Sequence, residues 1–566
     1  MTVRTDGSDV PDATLPERDG AAVHGVEVEP LATGSVVDER VLDEPLLGEP
    51  VLDEAATDEA MAEEADLPDA DDATATGLEA DAPGSEPVVV GRSRPRPEPR
   101  VERPSIWPAV AVAVVALAAY LALSLARWNR WDTPSWDNAI FEQAVRGWAG
   151  LGWPVVDIKG EGYIQLGDHW SPLLVVLAPF YRIFPSPVTL LVAQAVLVAI
   201  SVVPLTQAAR RWLGRTAGLA VGVAYAASWG VQSAIDVQFH EYALAAPILA
   251  FGLAAALDGK WRRACLWILL LLGVKEDMGL TVAGFGVVLW FWGERRRAWQ
   301  MVAAGLGGMA LTLFVLIPIF NPWHRYDYWG KLGEEGATGA PQGLAGLVDG
   351  VWRIFTNLLS PEVKIETILL LLVVTAFVAL RSPLLLMIVP TMLWRYAGST
   401  EYYWGSTWHY SLILMPIVFA ATVDGTRLLR RSSRAAARGY ARAVPALTVV
   451  VAALLVPRFP FADLVDPATY ERGSHVAAGE RALASIPAGA SVASDLGLIV
   501  HLTSDRTVYW IGTESPVQPD YVAIRTWSGW GGNPPDDVAR YAASRFGGVY
   551  EVSFDEGGFA VARRIG

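Results

Sequence analysis

From residue 106 onward the chain alternates long apolar runs with short polar connectors. Ile106–Ala126 runs for 21 residues without a charge, long enough to cross a bilayer as a helix. Comparable stretches fall at about 188–209, 215–231, 242–257, 263–275, 278–293, 300–320, 362–380, 383–396, 409–426 and 443–458, making about eleven spans with the first. Leu173–Phe184 is too short for a comfortable span and is expected to be re-entrant or interfacial. Two spans share few residues within 263–293, which fits either a hairpin of short helices or one broken helix. After Arg458 the pattern changes. Val476–Ser485 and Asp536–Phe546 read as helices, and Ala490–Ala493, Thr507–Trp510, Tyr521–Arg525, Gly548–Val552 and Phe559–Ala562 as strands. Such alternation predicts a small α/β domain.

Basic residues orient these elements. Arg92, Arg94, Arg96, Arg100 and Arg103 precede the first span, which places the N-terminus in the cytoplasm. Arg210–Arg215, Lys260–Arg263, Glu294–Arg297, Arg381 and Arg427–Arg442 then all fall on that same side. The expected fold is mostly α: a polytopic transmembrane helical bundle with a small extracytoplasmic C-terminal α/β domain and a disordered N-terminal tail. The domains are 1–103, an acidic cytoplasmic tail; 104–458, the transmembrane domain with its first extracytoplasmic loop at 127–172; and 459–566, the α/β domain. The expected location is the plasma membrane, multi-pass, with the C-terminus outside the cytoplasm.

Composition refines this picture at three points. The chain is 52% hydrophobic, and its net charge of -16 is concentrated in the tail, since residues 1–100 hold 26 acidic and 7 basic side chains. That tail has almost no aromatic residues and cannot bury enough apolar surface to offset its ordering entropy. The remainder is near neutral, without the basic footprint of a nucleic-acid binder. Cys265 is the only cysteine, which excludes an intrachain disulfide and a cysteine-based zinc site. The polar, acidic opening lacks the pattern of a cleavable signal peptide, so insertion is expected to rely on the first span. No GxGxxG or P-loop pattern points to nucleotide chemistry.

The loop Trp136–Pro172 is longer and more charged than a connector requires. It offers Asp137, Glu142 and Gln143 on a short amphipathic helix, and Asp168-His169 at its far end. Other polar clusters fall on the same side: Gln238-Phe239-His240-Glu241, Lys275-Glu276-Asp277 and Trp408-His409-Tyr410. Charges near membrane depth are costly and usually have partners or functions. Each cluster has a plainer account. Asp137 can cap a helix, Asp168 and His169 can fix the loop as it re-enters, His240, Glu241 and His409 can be solvated at the interface, and Lys275 can form a structural ion pair with Glu276 or Asp277. Chemically, one carboxylate would act as general base on an acceptor hydroxyl. Asp168, His169, His240 and Glu241 would hold a divalent metal or a phosphate, and Gln143, Lys275, Glu276, Asp277, His409 and Tyr410 would contact substrate. Oxygen and nitrogen ligands suit Mg²⁺, Mn²⁺ or Zn²⁺. Tyr and Trp crowd two further outer segments, Asn321–Pro361 and Tyr396–Trp408, as an aromatic belt or as platforms for sugar rings.

In order along the chain, WDNAIFEQAV, GDHWSPLLVVLAPFYRIFPSPVTLLVAQA, FHEYALAAPILAFGLAAAL, KEDMGLTVAGFG, WHYSLILMPIVFAA and IPAGASVASDLGLIVHLTSDRTVYW resemble the prokaryotic polytopic membrane family catalogued as domain of unknown function 2079. The resemblance covers about Ile106 to Arg564. That family in turn resembles the GT-C glycosyltransferases, which implies a catalytic acid just after the first span and a polyprenyl-phosphate-linked sugar as donor. Asp137 occupies the position of that acid. The chain departs from the GT-C pattern in lacking an Asp-x-Asp or Glu-x-Asp pair there, since Asp132 and Asp137 are five apart. The implied activity is glycosyl transfer to an envelope acceptor on the extracytoplasmic side, with membrane lipid and the lipid-linked sugar as partners. The competing expectations are a transporter or flippase of lipid-linked glycans, and a non-catalytic envelope scaffold.

Overall fold

The computed structural model describes residues 104–132, 136–332, 352, 360–398, 400–513, 517–527 and 534–566. The tail expected to be disordered and the Gly-rich part of the 321–361 segment therefore lie outside the described residues. The apolar runs form helices α1 (Trp107–Arg130), α2 (Trp136–Ala149), α3 (Ala178–Ile183), α4 (Pro187–Leu213), α5 (Arg215–Ala226), α6 (Trp229–Asp236), α7 (Tyr242–Leu257), α8 (Trp261–Leu269), α9 (Met278–Phe291), α10 (Arg295–Leu311), α11 (Ile317–Phe320), α12 (Glu362–Val373), α13 (Ile388–Ala397), α14 (Leu414–Arg430) and α15 (Ala435–Leu455). Among the described residues, five helical stretches are long and apolar enough to cross a membrane: Trp107–Arg130, Pro187–Leu213, Arg295–Phe320, His409–Arg430 and Ala435–Arg458. Shorter apolar helical stretches are Pro172–Ile183, Tyr242–Leu257, Met278–Phe291 and Pro383–Ala397. The His409–Arg430 window is 83% buried and the Arg295–Phe320 window 22%, so the former runs through the bundle and the latter along its rim.

Polar contacts at the helix ends gather the basic connectors at one end of the bundle. Arg210 donates to the carbonyl of Ser105, Arg211 pairs with Asp258, Arg430 donates to the carbonyl of Leu213, and Asp424 takes Ser382 and Arg427. Trp261 and Trp292, which bracket α8 and α9, have ring centroids 5.4 Å apart at that end. The two helices therefore form a hairpin, and Lys275-Glu276-Asp277 sits at its tip on the opposite end.

The C-terminal residues build a five-stranded sheet from β1 (Ser491–Ser494), β2 (Thr507–Trp510), β3 (Tyr521–Arg525), β4 (Tyr550–Glu556) and β5 (Phe559–Arg564). Its order is β2-β1-β3-β5-β4; β1 runs parallel to β2 and β3, while β5 is antiparallel to β3 and β4. Helices α16 (Val476–Ala484), α17 (Ile499–Leu502) and α18 (Val538–Phe546) accompany it. One face closes over α18 through Tyr509, Val522, Ile524, Ala542 and Phe546. Val492, Val508, Ala523, Phe559 and Val561 share a second core with Trp131, Ala139, Ile140, Ala144, Val156 and Ile158 from the first loop. Trp131 ends α1 in the left-handed region (φ 61°), which turns its ring onto His501 at 4.1 Å and against Phe559. Gly479 makes room for that ring, since a Cβ there would stand 2.2 Å from it. Burial, with Arg525 nearby, pushes the His501 imidazole down to about 3, so it packs as a neutral ring. The sheet thus rests on the loop helix α2, which places the candidate site.

Candidate functional site

Helix α2 starts at Trp136, and Asp137 lies in its first turn. Asp137 Oδ2 accepts from Gln238 Nε2 at 3.2 Å, while Gln238 Oε1 accepts from the Asn138 N–H at 3.0 Å. One glutamine therefore fixes both the acid and the helix start. Gln194 of α4 braces the other side: its amide donates to the carbonyls of Ala234 and Gln238 at 2.8 and 3.0 Å, and its Oε1 accepts from the His240 N–H at 3.1 Å.

His240 lies against His409, with ring centroids 3.5 Å apart and planes inclined by 22°. Asp137, His240 and His409 each place one potential ligand atom within 4.8 Å of the other two. Neither ring nitrogen of His409 has a hydrogen-bond partner, although the side chain is buried. Burial raises the Asp137 carboxyl above its ordinary value; His240 and Lys275 oppose the rise and Glu241 adds to it. Glu241 meets Lys275 Nζ at 2.8 Å on one oxygen and His240 Nδ1 at 3.0 Å on the other, as charge contacts outside hydrogen-bond geometry. Lys275 also lies 5.0 Å from the Tyr242 ring centre.

A second group adjoins the first. Glu276 accepts from the Trp170 N–H and the Tyr326 hydroxyl, both at 3.2 Å, and lies 2.7 Å from His169 Nδ1. Asp277 accepts from the Tyr242 hydroxyl at 2.8 Å. Asp168 accepts from the Tyr328 hydroxyl at 2.8 Å and pairs with Lys159 at 3.2 Å. Burial would raise Asp168, but Lys159, His169 and the Tyr328 hydroxyl outweigh it and hold the carboxyl below its ordinary value. The backbone comes close here, for a Cβ on Gly167 would meet Phe320 and Asn321 at about 2.5 Å. Asp168 is thus a paired anion that ties the loop end to the segment after α11.

Of the residues singled out in the sequence, Asp137, His240 and His409 converge, with Glu241 and Lys275 beside them. Tyr410 closes one side, 4.2 Å from His409 by ring centroids. His169, Glu276 and Asp277 line the adjoining group, and Asp168 lies beyond it. Gln143 stands apart: its amide donates to the Val508 carbonyl of β2 at 3.0 Å and its Oε1 accepts from the Ile158 N–H at 3.2 Å. Three contributors went unremarked in the sequence: Gln194, Lys159 and Arg395. Arg395 is 1% exposed, donates to the Tyr403 carbonyl at 2.7 Å, and keeps one guanidinium nitrogen without a partner. An arginine inside an apolar stretch was the signal for it.

The Asp137, His240 and His409 set fits a divalent cation. With metal–ligand distances of about 2.1 Å in tetrahedral geometry, ligand atoms lie about 3.4 Å apart, so the three groups would draw together by up to about 1.4 Å around an ion. Two imidazoles and one carboxylate are a usual donor set, and the unpartnered nitrogens of His409 are what a missing partner would leave. The chemistry open to this place is proton transfer at Asp137 beside groups that bind an anion or a metal.

No curated protein matches the sequence. Among solved structures the chain is similar to the crystal structure of ArnT from Cupriavidus metallidurans bound to undecaprenyl phosphate, at 13% identity over 81% of this chain and 98% of that one, with a TM-score of 0.45. It is also similar to the single-particle cryo-EM structure of the arabinosyltransferase EmbB from Mycobacterium smegmatis, at 14% identity over 73% of this chain and 42% of that one, with a TM-score of 0.36. A family model described as predicted membrane protein (DUF2079) matches residues 129–561, and the chain belongs to that family.

Proposed function

We propose that the protein is a GT-C-type glycosyltransferase that moves a sugar from a polyprenyl-phosphate donor to an envelope acceptor, with the site end of the bundle facing away from the cytoplasm. The observation that carries this reading is the meeting of Asp137, His240 and His409 from three remote stretches, at the end opposite the basic connectors. The motif resemblance, with Asp137 in place of the family's acid, supports it. Asp137 takes the proton of an acceptor hydroxyl. The acceptor oxygen bonds to the anomeric carbon as the bond from that carbon to the phosphate oxygen breaks, and the electron pair leaves with the polyprenyl phosphate. Lys275 and the partnerless nitrogen of Arg395 supply positive charge for that phosphate. The short spans of the bundle are read as members of about eleven crossings, and the sheet with its helices as an extracytoplasmic domain.

A second role for Asp137 is favoured by the partnerless His409. Asp137, His240 and His409 would together hold a divalent cation, which supplies charge to a phosphate oxygen. Chelation separates the two roles: activity that survives a metal chelator assigns Asp137 to the proton.

The test is lipid analysis of a strain lacking the gene. The expected result is accumulation of a polyprenyl-phosphate sugar, reversed by the wild-type chain and not by Asp137→Asn at equal membrane level. Full reversal by Asp137→Asn would remove the catalytic role and leave the scaffold reading. Movement of a lipid-linked glycan in sealed vesicles without any glycosyl product would favour the transporter.

A further inference from the structure

A shallow, open cavity of about 410 Å³ lies at the end of the bundle opposite the candidate site, lined by Gly259, Lys260, Trp261, Arg262, Arg263 and Arg297. Helix α7 begins beside Glu241 and ends sixteen residues later at Leu257, so cavity and site are separated by roughly 24 Å of helix. Four cationic side chains share this small space. Two are already neutralised, Lys260 by Asp258 at 2.9 Å and Arg297 by Glu294. Arg262 and Arg263 are exposed and, among the described residues, have no ion pair or hydrogen bond. The cavity therefore keeps a net positive charge from two guanidinium groups whose forked donors suit a phosphate.

The surroundings select among phosphates. Trp261 lies against Trp292, and Trp290 lies against Trp299 at 5.7 Å and under Arg295 at 5.3 Å. Tryptophan and arginine at one level mark a membrane interface. Below that level the helix surfaces are apolar and outward-facing, with Leu266, Val287 and Leu306 each more than 40% exposed. A ligand seated in the cavity thus has cationic donors at its head and lipid-facing helix along its tail. We propose that this cavity binds the anionic headgroup of a membrane phospholipid, with Arg262 and Arg263 on the phosphate and Trp261 at the glycerol level. Basic pockets between membrane helices hold such headgroups by this combination of charge and interface.

The experiment uses the full chain in nanodiscs containing phosphatidylglycerol or phosphatidylcholine, with retained lipid counted by native mass spectrometry. The wild-type chain is expected to keep phosphatidylglycerol in preference to phosphatidylcholine. Removing both charges in Arg262→Gln with Arg263→Gln is expected to lower that preference on the order of thirtyfold. The paired Arg262→Lys and Arg263→Lys variant is expected to keep most of it, which also shows that substitution here leaves the chain folded. An unchanged preference in the glutamine variant would overturn the proposal. Displacement of the lipid by millimolar inorganic phosphate would overturn it too, in favour of a site for soluble phosphate. None of these readouts depends on glycosyl transfer.

Discussion

Helix α2 carries two carboxyl groups, Asp137 half-buried and Glu142 buried, whose surroundings are opposite in kind. Asp137, in its first turn, receives one side-chain hydrogen bond, from Gln238, and faces histidines of which one has no hydrogen-bond partner on either ring nitrogen. Glu142, less than two turns later, is fully enclosed by donors: the hydroxyls of Tyr181 at 2.7 Å and Ser504 at 3.2 Å reach one oxygen and that of Thr503 the other. Burial outweighs these hydroxyls and Arg146, so the Glu142 carboxyl is pushed up to about 7. Positions five apart on a helix lie about 140° round the axis from one another, and the two acids accordingly serve different neighbours. A saturated acid fastens elements together, whereas an acid with spare valence beside partnerless donors is arranged for something that comes and goes. The contrast separates structural from chemical roles on one short helix.

The largest effect is expected at the open end. Asp137→Asn keeps the size of the side chain and its contact with Gln238, yet should lower transfer by about 10²- to 10⁴-fold, measured as glycosyl product in membranes. A variant with normal turnover would erase the distinction between the two acids. At the closed end the expected effect is on stability and its pH dependence. The carboxyl sits at about 7 in the folded chain against an ordinary 4.5, so the folded state binds more protons between those values. Stability from this group is then greatest below about pH 4.5 and falls by about 3 kcal/mol as pH rises to about 7. Glu142→Gln mimics the protonated form and should flatten that slope in thermal unfolding at about pH 5 and about pH 8; an unchanged slope would mean the acid is not so enclosed. Next comes His409→Gln, expected to weaken Mn²⁺ or Zn²⁺ binding in calorimetry by at least the roughly 10- to 100-fold that loss of an outer-sphere partner costs. Equal binding in wild type and variant would exclude the three-residue metal site. The smallest effect belongs to Ser504→Ala, at about 1 kcal/mol, because Tyr181 and Thr503 still reach Glu142.

Much of this was legible in the residues. The uncharged run Ile106–Ala126 lies within α1 apart from its first residue, and the strand candidates at Thr507–Trp510 and Tyr521–Arg525 coincide with β2 and β3, because span length and β-branched content are local properties. Asp137 stood out for the same reason, lying just after a span and at a helix start. The partnership of His240 with His409 was not legible, since 169 positions separate them and the packing of remote helices brings them together. Gln143 was grouped with Asp137 by proximity in sequence, while the helical turn directs it to β2. Gln194 was hidden by the apolar run around it, whereas Arg395 carried a charge as a signal but nothing in the sequence named the Tyr403 carbonyl it meets. A single polar residue in such a run leaves the pattern unchanged, and its meaning depends on what the neighbouring helices present.

The hydrogen bond from Gln143 to Val508 spans 365 residues. At synthesis rates of about 5 to 20 residues per second, α2 waits roughly 20 to 70 s after leaving the ribosome before β2 exists to receive it. During that interval the remaining helices enter the membrane while Ala139, Ile140 and Ala144 lack their eventual cover from the sheet. Completion of the chain is therefore what sets α2, and with it Asp137, in place: a truncated or stalled product carries every residue of the acid–histidine cluster without the surface that orients it.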